Sequence, residues 1–211
     1  MDGMRFWKTA AAAAILSVAG PLVAPAPPAE AGQALSLQRF LVGNLEPDTG
    51  RFLAQGGRGA QNVFRDSVLL LVFSGPVDLD SLNERTVKIG IPTGSGRYIP
   101  AEGDLYRYSI RKFDGVSGSF VHRRTWRNRV LFDPLRRQAS MLEQNPLGLQ
   151  PETNYEFTIP GVVDGALKTV RSSRGRPMGW TFRTTFRTTD DFFHGMMECP
   201  PLEHEDDLRG D

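Results

Sequence analysis

The chain has 211 residues, with 25 Lys or Arg against 24 Asp or Glu and a formal net charge of +1. That length bounds the protein to one domain, or one domain with extensions. The only cysteine, Cys199, excludes an internal disulfide, so a fold of this size must be held by its core alone.

In chain order, the first segment reads as a targeting sequence. Arg5 and Lys8 precede an apolar, Ala-rich run over residues 9–24, and Ala29-Glu30-Ala31 sets small residues where a signal peptidase reads. The expectation is export with cleavage after Ala31, which makes residues 1–31 a signal peptide and Gly32 the first residue of the product. No cysteine follows the apolar run, which argues against a lipoprotein. No later stretch is long and apolar enough to span a membrane after signal cleavage.

Residues 35–42 (LSLQRFLV) predict a first strand, and the Gly-, Asp-, Pro- and Arg-rich residues 43–61 a long loop. Residues 68–73 (VLLLVF) are apolar on both faces. Six such residues ended by Ser74-Gly75-Pro76 predict a central strand covered on both sides. Residues 78–82 predict a turn or one helical turn. Thr86, Val87, Ile89 and Ile91 then predict a strand stopped by Pro92. Four short β segments follow at residues 98–99, 105–110, 120–122 and 129–132, separated by Pro100, Gly103, Asp114-Gly115 and Gly118.

The heptapeptide Leu149-Gln150-Pro151-Glu152-Thr153-Asn154-Tyr155 has the Leu-x-Pro-x-Thr-x-Tyr spacing of a tyrosine corner. Pro151 stiffens the turn, Leu149 plugs the end of the core, and Tyr155 is expected to donate its hydroxyl to the preceding loop. Tyr155, Phe157 and Ile159 alternate with Asn154, Glu156 and Thr158 in a strand ended by Pro160-Gly161. After a loop over residues 164–177, Trp180, Phe182, Thr184 and Phe186 alternate with Thr181, Arg183, Thr185 and Arg187 in the last strand. Short strands at regular intervals, with almost no helical periodicity, predict an all-β fold. The expected form is an antiparallel Ig-like β-sandwich of about seven to nine strands.

The succession VLLLVFSGPVD, Ser81-Leu82, Thr86-Val87, Arg129-Val130-Leu131-Phe132-Asp133-Pro134, the corner and Trp180-Thr181-Phe182-Arg183-Thr184 resembles the bacterial Ig-like domain of S-layer proteins of the SbsA type. The resemblance spans residues 61–187. Residues 32–60 add a first strand and a Gly-rich loop, and residues 188–211 form an acidic, flexible tail. One departure is the insert over residues 97–125, longer and more basic than the family pattern. The resemblance implies a non-catalytic module of surface and secreted proteins, often in tandem. It implies no enzyme activity, no cofactor and no catalytic residue. Its expected partners are other envelope proteins or a cell-wall polymer, and not nucleic acid.

Charge is unevenly spread. Residues 97–187 hold 16 Lys or Arg against 8 Asp or Glu, whereas residues 188–211 hold 1 Arg against 8 acidic residues. Arg123, Arg124, Trp126, Arg127 and Arg129 interleave guanidinium groups with an aromatic ring, a ribbon able to hold anionic glycans or wall polymers. The same residues also read as a plain β-ribbon, basic outside, with Trp126, Val130 and Phe132 turned inward. His194, Cys199 and His204 offer metal donors in the tail, but spacings of five and five match no established zinc hairpin. Asp78, Asp80 and Asp164 are loop oxygen donors without the Gly-rich ligand loop that calcium sites use. Gly115-Val116-Ser117-Gly118 is not a Gly-x-Ser-x-Gly elbow, and Gly94-Ser95-Gly96 lacks the third glycine of a dinucleotide loop. The leading expectation is an exported, non-catalytic module with a structural or interaction role in the bacterial cell envelope. The alternatives are a carbohydrate- or polyanion-binding module using the ribbon, and a metal-binding secreted protein using the tail.

Overall fold

Apolar residues on both faces of one strand require two separate covers, and β3 (Val68–Phe73) has them. The computed structural model describes residues 34–94, 97–136 and 148–193, and only the backbone of Phe120, His122 and Arg123. Around β3 stand β1 (Leu37–Leu45), β2 (Phe52–Gly56), β6 (Asp104–Asp114) and β7 (Ser119–Asp133), in the order β2-β1-β3-β7-β6. The facing sheet holds β4 (Lys88–Pro92), β5 (Tyr98–Pro100), β8 (Asn154–Ile159) and β9 (Phe182–Arg187), in the order β5-β4-β8-β9. Every pairing within the two sheets is antiparallel, so the nine strands form an all-β sandwich.

Between the sheets lies the main core. Leu69, Leu71 and Phe73 from β3 meet Phe157, Ile159 and Phe186 from the facing sheet, and all six are buried. Phe40 of β1 reaches across to Phe157 at 4.8 Å between ring centroids. Each such side chain contributes about 1.5–3 kcal/mol relative to exposure. A strap formed by residues 57–63 closes the free edge of β9: Gly59 N donates to Thr185 O, Arg187 N to Ala60 O, and Val63 N to Arg187 O.

The second cover lies on the outer face of the five-stranded sheet, where Val68, Leu70, Tyr108 and Leu131 are buried together. It comes from the β6–β7 hairpin folding back. Arg107 pairs with Val130, yet Ser109 pairs with Thr125, so two steps along β6 oppose five along β7. Extra residues on one strand of a pair bend the ribbon sharply. Beyond the bend, Arg111 N donates to Thr49 O at 2.8 Å, and Phe52 N donates to the Tyr108 hydroxyl at 2.9 Å. The hairpin therefore reaches the β1–β2 turn and encloses a small second core.

Several elements differ from expectation. The loop expected over residues 43–61 contains the end of β1 and all of β2. Gly43 is the reason they fit, because a Cβ there would strike the Leu53 carbonyl. The short segments expected at residues 120–122 and 129–132 belong to one fifteen-residue strand, β7. The last strand starts at Phe182 rather than Trp180, and Trp180 is 69 % exposed.

At the corner, Leu149 and Tyr155 are both 2 % exposed. The polarity is the reverse of that expected: Gln150 N donates to the Tyr155 hydroxyl, which accepts at 2.8 Å. Around it, Thr188 Oγ1 accepts from Thr153 N and donates to Gln150 O, and Arg65 Nε donates to Leu149 O at 2.9 Å.

Candidate anion-binding face

The bend in β7 decides which side chains of the ribbon meet. Val130 and Phe132 point into the main core, but the added residues reverse the phase and turn Trp126 onto the outer face. The reading with Trp126 turned inward beside Val130 and Phe132 is therefore wrong. The indole stacks on Tyr108, centroids 4.9 Å apart and planes 11° from parallel. The Arg124 and Arg129 guanidinium carbons lie 4.8 and 4.6 Å from the same ring centroid.

This arrangement has a chemical consequence. A guanidinium lying on a ring uses its face, so its in-plane N–H groups stay free for an oxyanion. The ring, already stacked on Tyr108 and packed by two guanidinium groups, is no open platform for a sugar or base. Its effect is to hold two cations still. Arg129 Nε is buried and makes no hydrogen bond among the described residues.

The sheet register adds a residue that sequence reasoning missed. Arg39 of β1 and Arg129 of β7 both pair with Val72 of β3, which puts the three in one row across the outer face. Neighbouring strands lie about 4.8 Å apart, so the Arg39 and Arg129 backbones are about 10 Å apart. Among the described residues, no carboxylate forms an ion pair with Arg39, Arg124 or Arg129. Arg127 is exposed, and its backbone carbonyl accepts from Val77 N at 2.9 Å. The Arg123 side chain lies outside the described residues.

A second polar cluster sits at the far end of β7. Tyr106 donates to Asp133 Oδ2 at 3.2 Å, Leu135 N and Arg136 N donate to Oδ1, and the Arg136 guanidinium lies 4.2 Å from the Tyr106 ring centroid. Loss of hydration raises the Asp133 carboxyl above its ordinary range, against the lowering effect of those hydrogen bonds. A carboxyl raised in the folded state stabilises most below its unfolded value, and that contribution is lost as pH rises through the folded value. Asp133→Asn preserves the shape and the two backbone bonds at Oδ1, and replaces the oxygen that accepts from Tyr106 with an amide donor to the same hydroxyl. We expect the wild type to gain stability on this variant as pH falls from 7 towards about 4. Urea denaturation at the two ends of that range checks it, and the opposite slope would mean that the hydrogen bonds outweigh burial.

The other candidates have structural duties or fall outside the description. Asp78 Oδ1 caps Asp80 N at 3.1 Å, and Asp164 Oδ2 accepts from Thr181 N at 2.7 Å; the Thr181 hydroxyl first and then its amide lower the Asp164 carboxyl below its ordinary value. No three His, Cys, Asp or Glu side chains converge among the described residues. His194, Cys199 and His204 lie outside them. An open cleft of about 600 Å³ lined by Glu84, Lys88, Lys168, Ile89, Leu105 and Phe132 mixes both signs of charge and lies apart from the Trp126 face.

No known family model matches the sequence, and no curated protein matches it. Among solved structures, the chain is similar to the N-terminal part of the bacterial S-layer protein SbsC, with TM-score 0.32 and 11 % identity over 76 % of this chain and 24 % of that one. It is similar to domains 1–6 of the surface layer protein SbsC, with TM-score 0.32 and 12 % identity over 76 % of this chain and 14 % of that one. This chain thus spans a quarter or less of their length. A likeness of this size assigns neither function nor family, and the sandwich rests on its own strand pairing.

Proposed function

We propose that the chain is an exported, non-catalytic Ig-like interaction module of the bacterial cell envelope, of the kind the SbsA-type resemblance implies, which holds an anionic wall polymer on its Trp126 face. One observation carries the reading: Arg124 and Arg129 are pinned on one indole, with Arg39 in the same cross-strand row. Guanidinium groups held in place, with no carboxylate partner among the described residues, suit phosphate or carboxylate along a polymer, because little side-chain freedom is lost on binding. Arg5, Lys8, the apolar run and Ala29-Glu30-Ala31 support the envelope location.

The test is retention on immobilised anionic polymers across a salt series. The parent protein should bind, and less as salt rises. Arg124→Ser with Arg129→Ser should lower affinity by about tenfold or more and flatten the salt dependence. Loss of exposed Arg124 should change thermal stability little, and loss of half-buried Arg129 should change it modestly through its contact with the Trp126 ring, so each variant is compared at a temperature where it is folded. Equal binding by parent and variant, or none by the parent, would return the face to ordinary solvated surface.

A further inference from the structure

After β9 ends at Arg187, the chain stays on the sandwich for several more residues. Thr189 N donates to Val63 O at 2.8 Å, Arg65 N to Asp191 O at 3.0 Å, and Phe193 N to Asp66 Oδ1 at 2.8 Å. The Phe193 and Phe64 rings lie 5.6 Å apart between centroids, and the Arg65 guanidinium carbon lies 4.6 Å from the Phe192 centroid. These contacts fix Phe193 beside the start of β3, and whatever follows departs from that point. Residues 194–211 lie outside the described residues. They hold 6 Asp or Glu against 1 Arg, and Glu203, Glu205, Asp206 and Asp207 are packed into five positions.

We infer that the acidic segment, residues 203–207, occupies the Trp126 face of its own chain, so that an anionic polymer must displace it to bind. The inference rests on the polymer reading and deepens it, since it states how access to that face is regulated. Reach is the first argument. The arginine row crosses β3 at Val72, six residues from Asp66, which is about 20 Å along the strand. Glu203 stands ten residues beyond Phe193, a span of up to about 33 Å, and Asp207 has four residues more. The acids therefore reach the row with chain left to pass around the folded-back hairpin. Charge is the second argument. Arg183 pairs with Glu156 at 3.3 Å, and Lys88 and Lys168 share their cleft with Glu84 and Asp104. Arg39, Arg124 and Arg129 have no such carboxylate among the described residues, and guanidinium groups held on an indole present their in-plane N–H groups to one. Tethering is the third. A linked segment meets its own face at an effective concentration of roughly millimolar, which favours it over a second copy in dilute solution. Each exposed ion pair is weak, so a polymer with many charges can still displace the segment.

Glu203→Gln, Glu205→Gln, Asp206→Asn and Asp207→Asn together neutralise the segment in the intact chain and touch neither core. Without any polymer, the side-chain N–H resonances of Arg129 and Trp126 should differ between the parent and this variant at low salt. At high salt the two spectra should converge, because screening releases the segment. Soluble polyphosphate should bind the variant about tenfold or more tightly than the parent, and with a steeper salt dependence, since in the parent salt also weakens the competitor. Adding Arg124→Ser and Arg129→Ser should abolish the difference between the two proteins. Identical Arg129 and Trp126 resonances, or equal measurable affinity for polyphosphate, would overturn the inference. Differing resonances with no polyphosphate binding by either protein would uphold the contact and reject the polymer reading instead. Self-association of the parent that the four changes abolish would place the segment on a second copy and overturn its contact with its own face.

Discussion

Leu149→Ala is expected to lower the unfolding free energy by about 2–4 kcal/mol, the cost of removing a buried aliphatic side chain from a site that cannot collapse. The site cannot collapse because its backbone is fixed at both ends. Leu149 N donates to Arg65 O, and Leu149 O accepts from Arg65 Nε. Tyr155→Phe is expected to cost less, about 1–2 kcal/mol, and by a different mechanism. The phenol oxygen accepts from Gln150 N, so its removal leaves a donor without a partner beside the stacked Tyr155 and Phe186 rings, which are 5.3 Å apart. Equilibrium denaturation in urea checks both values. A Tyr155→Phe variant as stable as its parent would mean that water satisfies the Gln150 amide, and the corner would be reduced to an apolar plug. Neither change should alter polymer retention once the variant is folded, since both act at the opposite end of the molecule's chemistry, on the scaffold.

What could be read from the residues in advance was whatever depends on local periodicity. The double-sided run of β3, the alternation of β8 and β9, and the corner spacing all express burial through neighbours two residues apart. What could not be read depends on partners distant in sequence. The β2 sequence FLAQG has no buried residue and forms a strand only because β1 pairs with it across Gly43. Trp180 continues the alternation of β9 in sequence, but the strand begins only at Phe182 and leaves the ring exposed. The direction of the Tyr155 hydrogen bond was equally hidden, because a hydroxyl can donate or accept and only the position of Gln150 N decides.

The candidate site divides in the same way. Alternating Arg and Trp identified a cationic aromatic stretch, but a period of two assigned Trp126 to the face of Val130 and Phe132. The added residues in β7 break that period within one strand, and the break becomes visible only in the pairing of β6 with β7. Arg39 carried no local signal, since it joins the row only through Val72.

Trp126 therefore has two roles that one substitution can separate. Trp126→Ala should cost about 2–3 kcal/mol of stability, below the ~3–5 kcal/mol of a fully buried tryptophan because the ring is half-buried. It removes the Tyr108 stack and opens the second core under the folded-back hairpin. Trp126→Leu is the more informative change. An aliphatic side chain keeps much of the apolar contact with Tyr108 and Leu131, so stability should fall by only about 1–1.5 kcal/mol. It has no π face, however, and so releases the Arg124 and Arg129 guanidinium groups that the indole holds. Both must then be ordered when an anion arrives, at about 0.5–1.5 kcal/mol each, which predicts a loss of roughly tenfold in affinity for an anionic polymer. The electrostatic part should survive, because both charges are still present, so the salt dependence should match the parent's. That outcome differs from Arg124→Ser with Arg129→Ser, where affinity and salt dependence fall together. If Trp126→Leu binds as tightly as the parent, the ring acts only as core packing and the anion-holding role passes to unassisted arginines.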